Sequence, residues 1–175
     1  VITPNTDSSL TDFTFYINPY ASTSPISYQA RVYQWKILSF RAGGPTGPSI
    51  YNSGTLSFSG TSGTFSPVTI NTGGVSVSAN TPYVLFFSTV GETQTASSYA
   101  NWGFINSDVY SGGSFVYSNH DSSFTAPWDS RSFTATDDLA FKANIADAPS
   151  NVPGPLPVLG LAAAFGFSRK LRKRI

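Results

Sequence analysis

Cysteine and methionine are both absent from this sequence, and charged residues make up only 11% of it, so neither sulfur chemistry nor a charged surface can dominate its behaviour. Without cysteine there is no disulfide and no thiolate metal site, and packing alone must hold the fold. An oxidising compartment is compatible with this composition but not required by it. The few charges are also unevenly placed. Five of the ten Lys and Arg fall within residues 169–174, which leaves residues 1–147 with five against nine acids, a net charge of −4. That part carries no basic footprint for nucleic acid. The start, Val1-Ile2-Thr3-Pro4, has neither the basic residues nor the apolar core of a secretory leader. If the protein is exported, a leader is expected to have been removed or to precede Val1. Helical periodicity is nearly absent before Pro149.

What is present is period-two alternation broken by Gly, Pro, Asn and Ser. The 27 Ser and 18 Thr supply a polar face made of hydroxyls rather than charges, as is common in secreted β proteins and compatible with O-glycosylation. Phe13, Phe15 and Ile17 point one way, Asp12, Thr14 and Tyr16 the other, and Asn18-Pro19 ends that strand. A longer strand is expected over about residues 27–40, with Ala30 and Val32 on one face and Arg31, Tyr33, Trp35 and Ile37 on the other. Two partly apolar faces predict a central strand, or one that changes partners midway. Residues 42–49 read as a loop by their turn residues. Strands follow at 50–58, with Leu56 and Phe58 together, and at 64–70. Asn71-Thr-Gly-Gly74 reads as a turn before a short strand at Val75 and Val77, and Asn80-Thr-Pro82 as another turn.

Residues 83–88 form the most apolar stretch, with Tyr83, Leu85 and Phe87 opposite Val84 and Phe86, and predict a strand buried on both sides. Residues 99–105 carry Trp102-Gly103-Phe104. Residues 114–118 read as a strand with Phe115 and Tyr117 facing together, 119–131 as a long loop, and 139–145 as the closing strand. Nine or ten strands with turn signals every 8 to 12 residues predict an all-β fold. The expected form is two antiparallel sheets packed face to face, a β-sandwich of jelly-roll type, with fourteen Phe and nine Tyr to fill a thick core. A short hydrophobic helix is expected at the C-terminus. The expected division is residues 1–147 for the sandwich, 148–157 for a proline-rich linker and 158–175 for an apolar segment with a basic end.

The end of the chain has its own order. Val152, Pro153, Gly154 and Pro155 begin a proline-stiffened spacer, extended and semi-rigid. Leu156, Val158, Leu159, Leu161, Phe165 and Phe167, with three alanines, make a short apolar segment. Arg169, Lys170, Arg172, Lys173 and Arg174 close it. The apolar segment can enter hydrocarbon as a helix. The basic residues then stay at an anionic cytoplasmic surface, each attracted by roughly 1 kcal/mol, and fix orientation. Residues 156–167 number twelve against the about 20 of a full span, a deficit that snorkelling and local thinning of the bilayer reduce. The alternative, a buried helix of a soluble domain, is disfavoured by Pro155, Pro157, Gly160 and Gly166.

This three-part tail resembles the PEP-CTERM sorting signal, the C-terminal tag recognised by exosortases in Gram-negative bacteria, cyanobacteria included. The family pattern is Val-Pro-Glu-Pro, a hydrophobic segment and an Arg-rich end. Here Gly154 stands where the family has Glu, so the resemblance implies membrane targeting more directly than cleavage. The body resembles β-sandwich regions of proteins bearing that tag in residues 28–35, in Tyr83-Val-Leu-Phe-Phe87 and in Asp138-Leu-Ala-Phe-Lys142. The resemblance implies exosortase and the inner membrane as partners, and a final location at the cell surface or in the extracellular matrix.

Catalytic candidates are few. His120, the only histidine, sits beside Asp121 and the hydroxyls Ser122 and Ser123, but no Gly-x-Ser-x-Gly element accompanies it. A solvated loop histidine is the better reading, and no enzyme is expected. Asp121, Asp129, Asp137 and Asp138 are candidates for a structural calcium converging at one end of a sandwich. With no Asp-x-Asp-x-Asp loop, solvated turn carboxylates are favoured, and no cofactor is expected. Tyr99, Trp102, Tyr110, Tyr117 and Trp128 are rich enough in ring faces to stack on sugars, which makes a carbohydrate-binding module for extracellular polysaccharide the alternative function. Packing in the core is the competing reading of the same rings. The Gly-rich stretches 71–74 and 111–113 precede no helix and are not phosphate cradles.

Overall fold

The computed structural model describes residues 1–19, 25–39, 42–94, 99–105, 107, 109–119, 128–129 and 138–147. Among these the chain forms ten strands and no helix. They are β1 (Ser8–Pro19), β2 (Ile26–Ser39), β3 (Ala42–Phe58), β4 (Ser66–Val77), β5 (Tyr83–Ser88), β6 (Ala100–Trp102), β7 (Phe104–Ile105), β8 (Trp128–Asp129), β9 (Asp138–Leu139) and β10 (Phe141–Asp147). Every ladder is antiparallel. One sheet runs β10-β1-β4, with β6 also paired to β1. A second runs β5-β2-β3-β8, and β7 and β9 form a small third sheet.

The alternation read in the sequence decides which faces meet. In β1, Leu10, Phe13, Phe15 and Ile17 are buried, and they share one core with Tyr28, Ala30 and Val32 of β2 and Tyr83 and Leu85 of β5. Aromatic contacts join the two sheets, with Phe15 edge-on to Phe87 at 5.1 Å between ring centroids and Phe13 6.2 Å from the same ring. On the other side of β1, Thr14 is buried too, and its hydroxyl is 2.8 Å from that of Thr69 on β4. The Thr14 hydroxyl is thus paired across the strands with that of the exposed Thr69, which makes its burial tolerable.

β2 is central, between β3 and β5, the first of the two arrangements that its apolar faces allow. β5 is indeed buried on both faces. Its Tyr83 and Leu85 enter the main core, while Val84 and Phe86 join Trp35 and Trp128 in a second cluster. Yet β5 lies at the end of its sheet. Ile2 covers part of that edge, since its N–H donates to the Tyr83 carbonyl and the Tyr83 N–H donates to the Ile2 carbonyl, both at 2.8 Å. Covering an edge in this way removes a template for unwanted pairing.

Four expectations are corrected. Residues 42–49 are not a loop but the first part of β3, paired through Gly43↔Ile37, Gly44↔Lys36 and Pro45↔Trp35. Gly43 does not turn the chain. It makes room for the Trp35 indole, which would lie 2.3 Å from any Cβ placed there. The second neighbour of β3, β8, reaches only Ala42 and Gly43, so Pro45 and Pro48 sit where a missing N–H costs no second ladder.

Asn71-Thr-Gly-Gly74 likewise does not end a strand. β4 runs through it, and the register with β1 jumps from Leu10↔Val75 to Asp12↔Asn71. The surplus residues form a bulge. Gly73 and Gly74 take φ of 73° and 87°, the Asn71 side chain accepts the Gly73 N–H at 2.8 Å, and the buried Thr72 hydroxyl donates to the Leu10 carbonyl. Turn chemistry here serves the interior of a ladder. Thirdly, residues 114–118 form no strand, although Phe115 and Tyr117 do face together, stacked at 5.9 Å. Of the expected loop over 119–131, Trp128–Asp129 is a strand. The Asn80 turn is present, with φ of 54° and its N–H donated to the Pro4 carbonyl.

Candidate functional site: an aromatic-lined cavity between the sheets

The two sheets do not fill the space between them. A cavity of about 1110 Å³ opens beside the end of β5. β1 supplies Phe15 and Ile17 to its wall, β2 supplies Ile26 and Tyr28, and β5 supplies Leu85, Phe86 and Phe87. Trp102, Phe115 and Tyr117 line it from the C-terminal half, and Trp128 from β8.

The rings hold one another in place. Trp102 meets Phe15 edge-on at 5.1 Å and Phe87 at 5.4 Å, and Tyr28 lies 4.6 Å from Phe87. Offset and edge-on contacts of this kind add to simple burial. Trp102 gets its position from Gly103. The Gly103 N–H donates to the Tyr16 carbonyl at 2.7 Å and its carbonyl accepts from Ala140 at 2.8 Å. There the chain leaves its pairing with β1 and takes up pairing with β9, and a Cβ would crowd those of Tyr16 and Ala140 at 3.2 and 3.3 Å.

None of the described residues lining the cavity is charged. Its polar groups are those of Ser88, Thr89, Gln94, Ser118 and Asn119, together with the aromatic N–H and O–H groups. The Gln94 amide is already engaged, donating to the Ser27 carbonyl and accepting from the Ser27 N–H at 3.3 Å. Burial pushes the Tyr28 phenol above its ordinary pKa, because the phenolate would be poorly solvated there. Trp128 is 5% exposed, and its indole N–H has no hydrogen-bond partner among the described residues. A buried tryptophan N–H normally finds an acceptor.

The five aromatic residues expected from the sequence divide accordingly. Tyr99 and Tyr117 line the cavity and are 48% and 36% exposed. Trp102 and Trp128 line it too but are packed inward, Trp128 between Trp35 and Phe86. Tyr110 stands apart. Its ring packs edge-on against Phe141, and its hydroxyl accepts the Thr3 N–H at 3.3 Å. The sequence reading placed Phe15, Tyr28, Phe58 and Phe87 only in a core. Alternation shows which way a ring points but not whether the space in front of it is filled.

Asp138, a calcium candidate, is buried, and its carboxylate accepts the N–H groups of Val109 at 2.9 Å and Tyr110 at 2.8 Å. It pins the approach to Tyr110 rather than standing free. Asp138→Ala is expected to cost about 2 kcal/mol, since two N–H groups lose their acceptor, while Asp138→Asn costs less than half of that. Urea denaturation of the two variants measures the difference. Asp121, Asp137 and the side chain of Asp129 lie outside the described residues, as does His120. Among the described residues no three His, Cys, Asp or Glu are grouped to hold a metal.

The sorting motif Val152 to Pro155, the apolar segment with its expected helix, and the basic end all lie outside the described residues. No helix among the described residues is long and apolar enough to cross a membrane. Set against known proteins, the chain matches no family model, and no curated protein or solved structure is similar to it.

Proposed function

We propose that this chain is an exported, non-catalytic protein of the cell surface or extracellular matrix, delivered by a C-terminal signal of PEP-CTERM type. The observation that carries the reading is the order of the tail. A proline spacer, an apolar segment and five clustered basic residues follow one another within residues 152–175. The apolar segment holds the chain in the inner membrane, the basic end keeps its orientation, and Val152, Pro153, Gly154 and Pro155 present the region handled by an exosortase.

The body suits that destination. It needs no disulfide, and its polar faces are hydroxyls. We read its architecture as a jelly-roll β-sandwich. Two features support this. The two larger sheets share one core, and the chain passes repeatedly between them, with β1, β4, β6 and β10 in one and β2, β3, β5 and β8 in the other. A carbohydrate-binding role is the second reading. It is favoured by the exposed rings of Tyr99 and Tyr117 beside the polar side chains of Ser118 and Asn119.

The sorting reading is tested by producing the full chain, and a chain lacking residues 152–175, in a host that has an exosortase. The full chain is expected in the membrane fraction first and at the surface later, with a shortened C-terminus by intact mass. The shortened chain should miss the membrane stage. Equal release of both, with C-terminal masses differing only by the deletion, would count against the proposal.

A further inference from the structure

We propose that the projecting end of the β2–β3 hairpin, at Lys36, Ile37 and Leu38, inserts into the interfacial layer of a lipid bilayer and holds the body with that end toward the membrane. The inference rests on the reading that the tail enters the membrane, and it adds a second contact to the one the tail makes.

Three observations carry it. The first is apolar surface on a projection. Ile37 is 69% exposed, the most of any large apolar side chain among the described residues, and its neighbour Leu38 is 53% exposed. β5 pairs with β2 no further than Gln34. Beyond it, Lys36 and Ile37 pair with Gly44 and Gly43 of β3, and Leu38 falls in the register shift before Ser39↔Ala42. At about 3.3 Å per residue, Leu38 stands roughly 13 Å past Gln34. A lone exposed leucine is ordinary, whereas two adjacent aliphatic side chains on an overhanging ribbon form a contact surface.

The second is where the ribbon points. The Trp35 N–H donates to the Pro82 carbonyl, and Tyr83 pairs with Ile2. The Asn80 N–H donates to the Pro4 carbonyl at 2.8 Å, and the Ala79 N–H to the Asp7 carboxylate at 2.7 Å. Ser8, the next residue, opens β1 opposite Asp147, the last residue of β10. The chain therefore leaves β10 toward its tail at the same end of the sheets that the hairpin overhangs. Phe104 is also exposed, at 64%, but it follows Gly103, which is bonded to Tyr16 toward the other end of β1.

The third is reach. Residues 148–157 separate Asp147 from the apolar segment, and ten residues extend at most about 35 Å. A body tethered so closely meets the bilayer at high effective concentration, so two aliphatic side chains suffice for a second contact. Lys36 suits the place, since its stem can lie along apolar surface with the ammonium among headgroups. The same end also carries Asp7, Asp129 and Asp147, so apolar contact rather than attraction to anionic lipid holds the tip.

The test uses the full chain on vesicles of phosphatidylcholine and phosphatidylglycerol. The sequence has no cysteine, so a single one can carry an environment-sensitive dye. In Leu38→Cys the dye should shift to the blue on vesicles and be quenched by lipids bearing a nitroxide near the headgroup. In Phe104→Cys it should do neither. The unlabelled double variant Ile37→Ser with Leu38→Ser should partition onto vesicles about tenfold more weakly, as two aliphatic side chains lose contact with lipid. Ala163→Cys reports on the tail separately. If its dye enters lipid while that of Leu38→Cys stays in water, the hairpin proposal falls and the sorting reading stands. If the dye of Leu38→Cys enters lipid while that of Ala163→Cys does not, the hairpin contact stands and the tail reading falls. The proposal also falls if Phe104→Cys is quenched in place of Leu38→Cys, if the double variant partitions like the parent, or if Leu38→Cys shifts to the blue without vesicles as protein concentration rises, which would mean that a second copy covers the tip.

Discussion

Phe13→Ala is expected to lower the stability of the body by about 4 kcal/mol. The Phe13 ring is fully buried. It meets Phe15 edge-on at 5.6 Å and Phe87 at 6.2 Å, so its removal strips contacts from both sheets at once. β1 is held on both sides, Phe13 facing Ala143 on β10 and Ile70 on β4, and neither neighbour can swing in to refill the space. A loss of that size is a large part of the roughly 5–15 kcal/mol that keeps a domain folded. In urea the midpoint should fall with the slope unchanged, and Phe13→Leu should recover most of it. Phe15→Ala should cost less, although the residue is the same and also buried. Phe15 lines the cavity, so one side of its ring has fewer atoms to lose. Equal losses at the two positions would argue against an open space beside Phe15.

Gly43→Val is the second large effect. An added Cβ would sit 2.3 Å from Trp35 Cζ2, 2.5 Å from Cε2 and 2.8 Å from the Lys36 carbonyl. The indole can retreat only by giving up its place against Trp128, and the carbonyl belongs to the paired strand itself. About 3 kcal/mol is expected, the upper end of what overpacking costs. For a body of this size that is roughly a 10 °C fall in thermal midpoint. The control is Gly47→Ala in the same strand. Gly47 has φ of 71° with nothing near its missing Cβ, so only backbone strain of about 1 kcal/mol is lost there. If the two variants melt together, the close approach of Trp35 to Gly43 is not what the glycine is for.

The readable part of this fold was whatever period two can encode. Phe13, Phe15 and Ile17 fell on the buried face of β1, and Tyr83 to Phe87 alternated between two clusters, because a strand sorts its side chains without help from the rest of the chain. The same reading failed where glycine and proline have two uses. At Gly43 the missing side chain accommodates a distant indole, and at Gly73 and Gly74 left-handed backbone makes a bulge rather than a hairpin. Neither use is marked locally, because the reason sits on another strand. The cavity was hidden for a related reason. Trp102 and Trp128 were legible as large rings near the C-terminal end of the body. That both would be packed inward, with Tyr99 and Tyr117 left outside, depends on Gly103 and on a two-residue strand that no periodicity could announce.

That two-residue strand gives the protein an optical signature. The indoles of Trp35 and Trp128 stand 5.9 Å apart and cross at 76°. Chromophores so close and so skewed share their excited states, and the shared state has a handedness. A circular-dichroism couplet follows that neither ring produces by itself. Because, among the described residues, the ladder of β8 consists of just Ala42↔Asp129 and Gly43↔Trp128, the couplet would fade whenever that strand lifts away while the remainder stays folded, which makes it a built-in gauge of local opening.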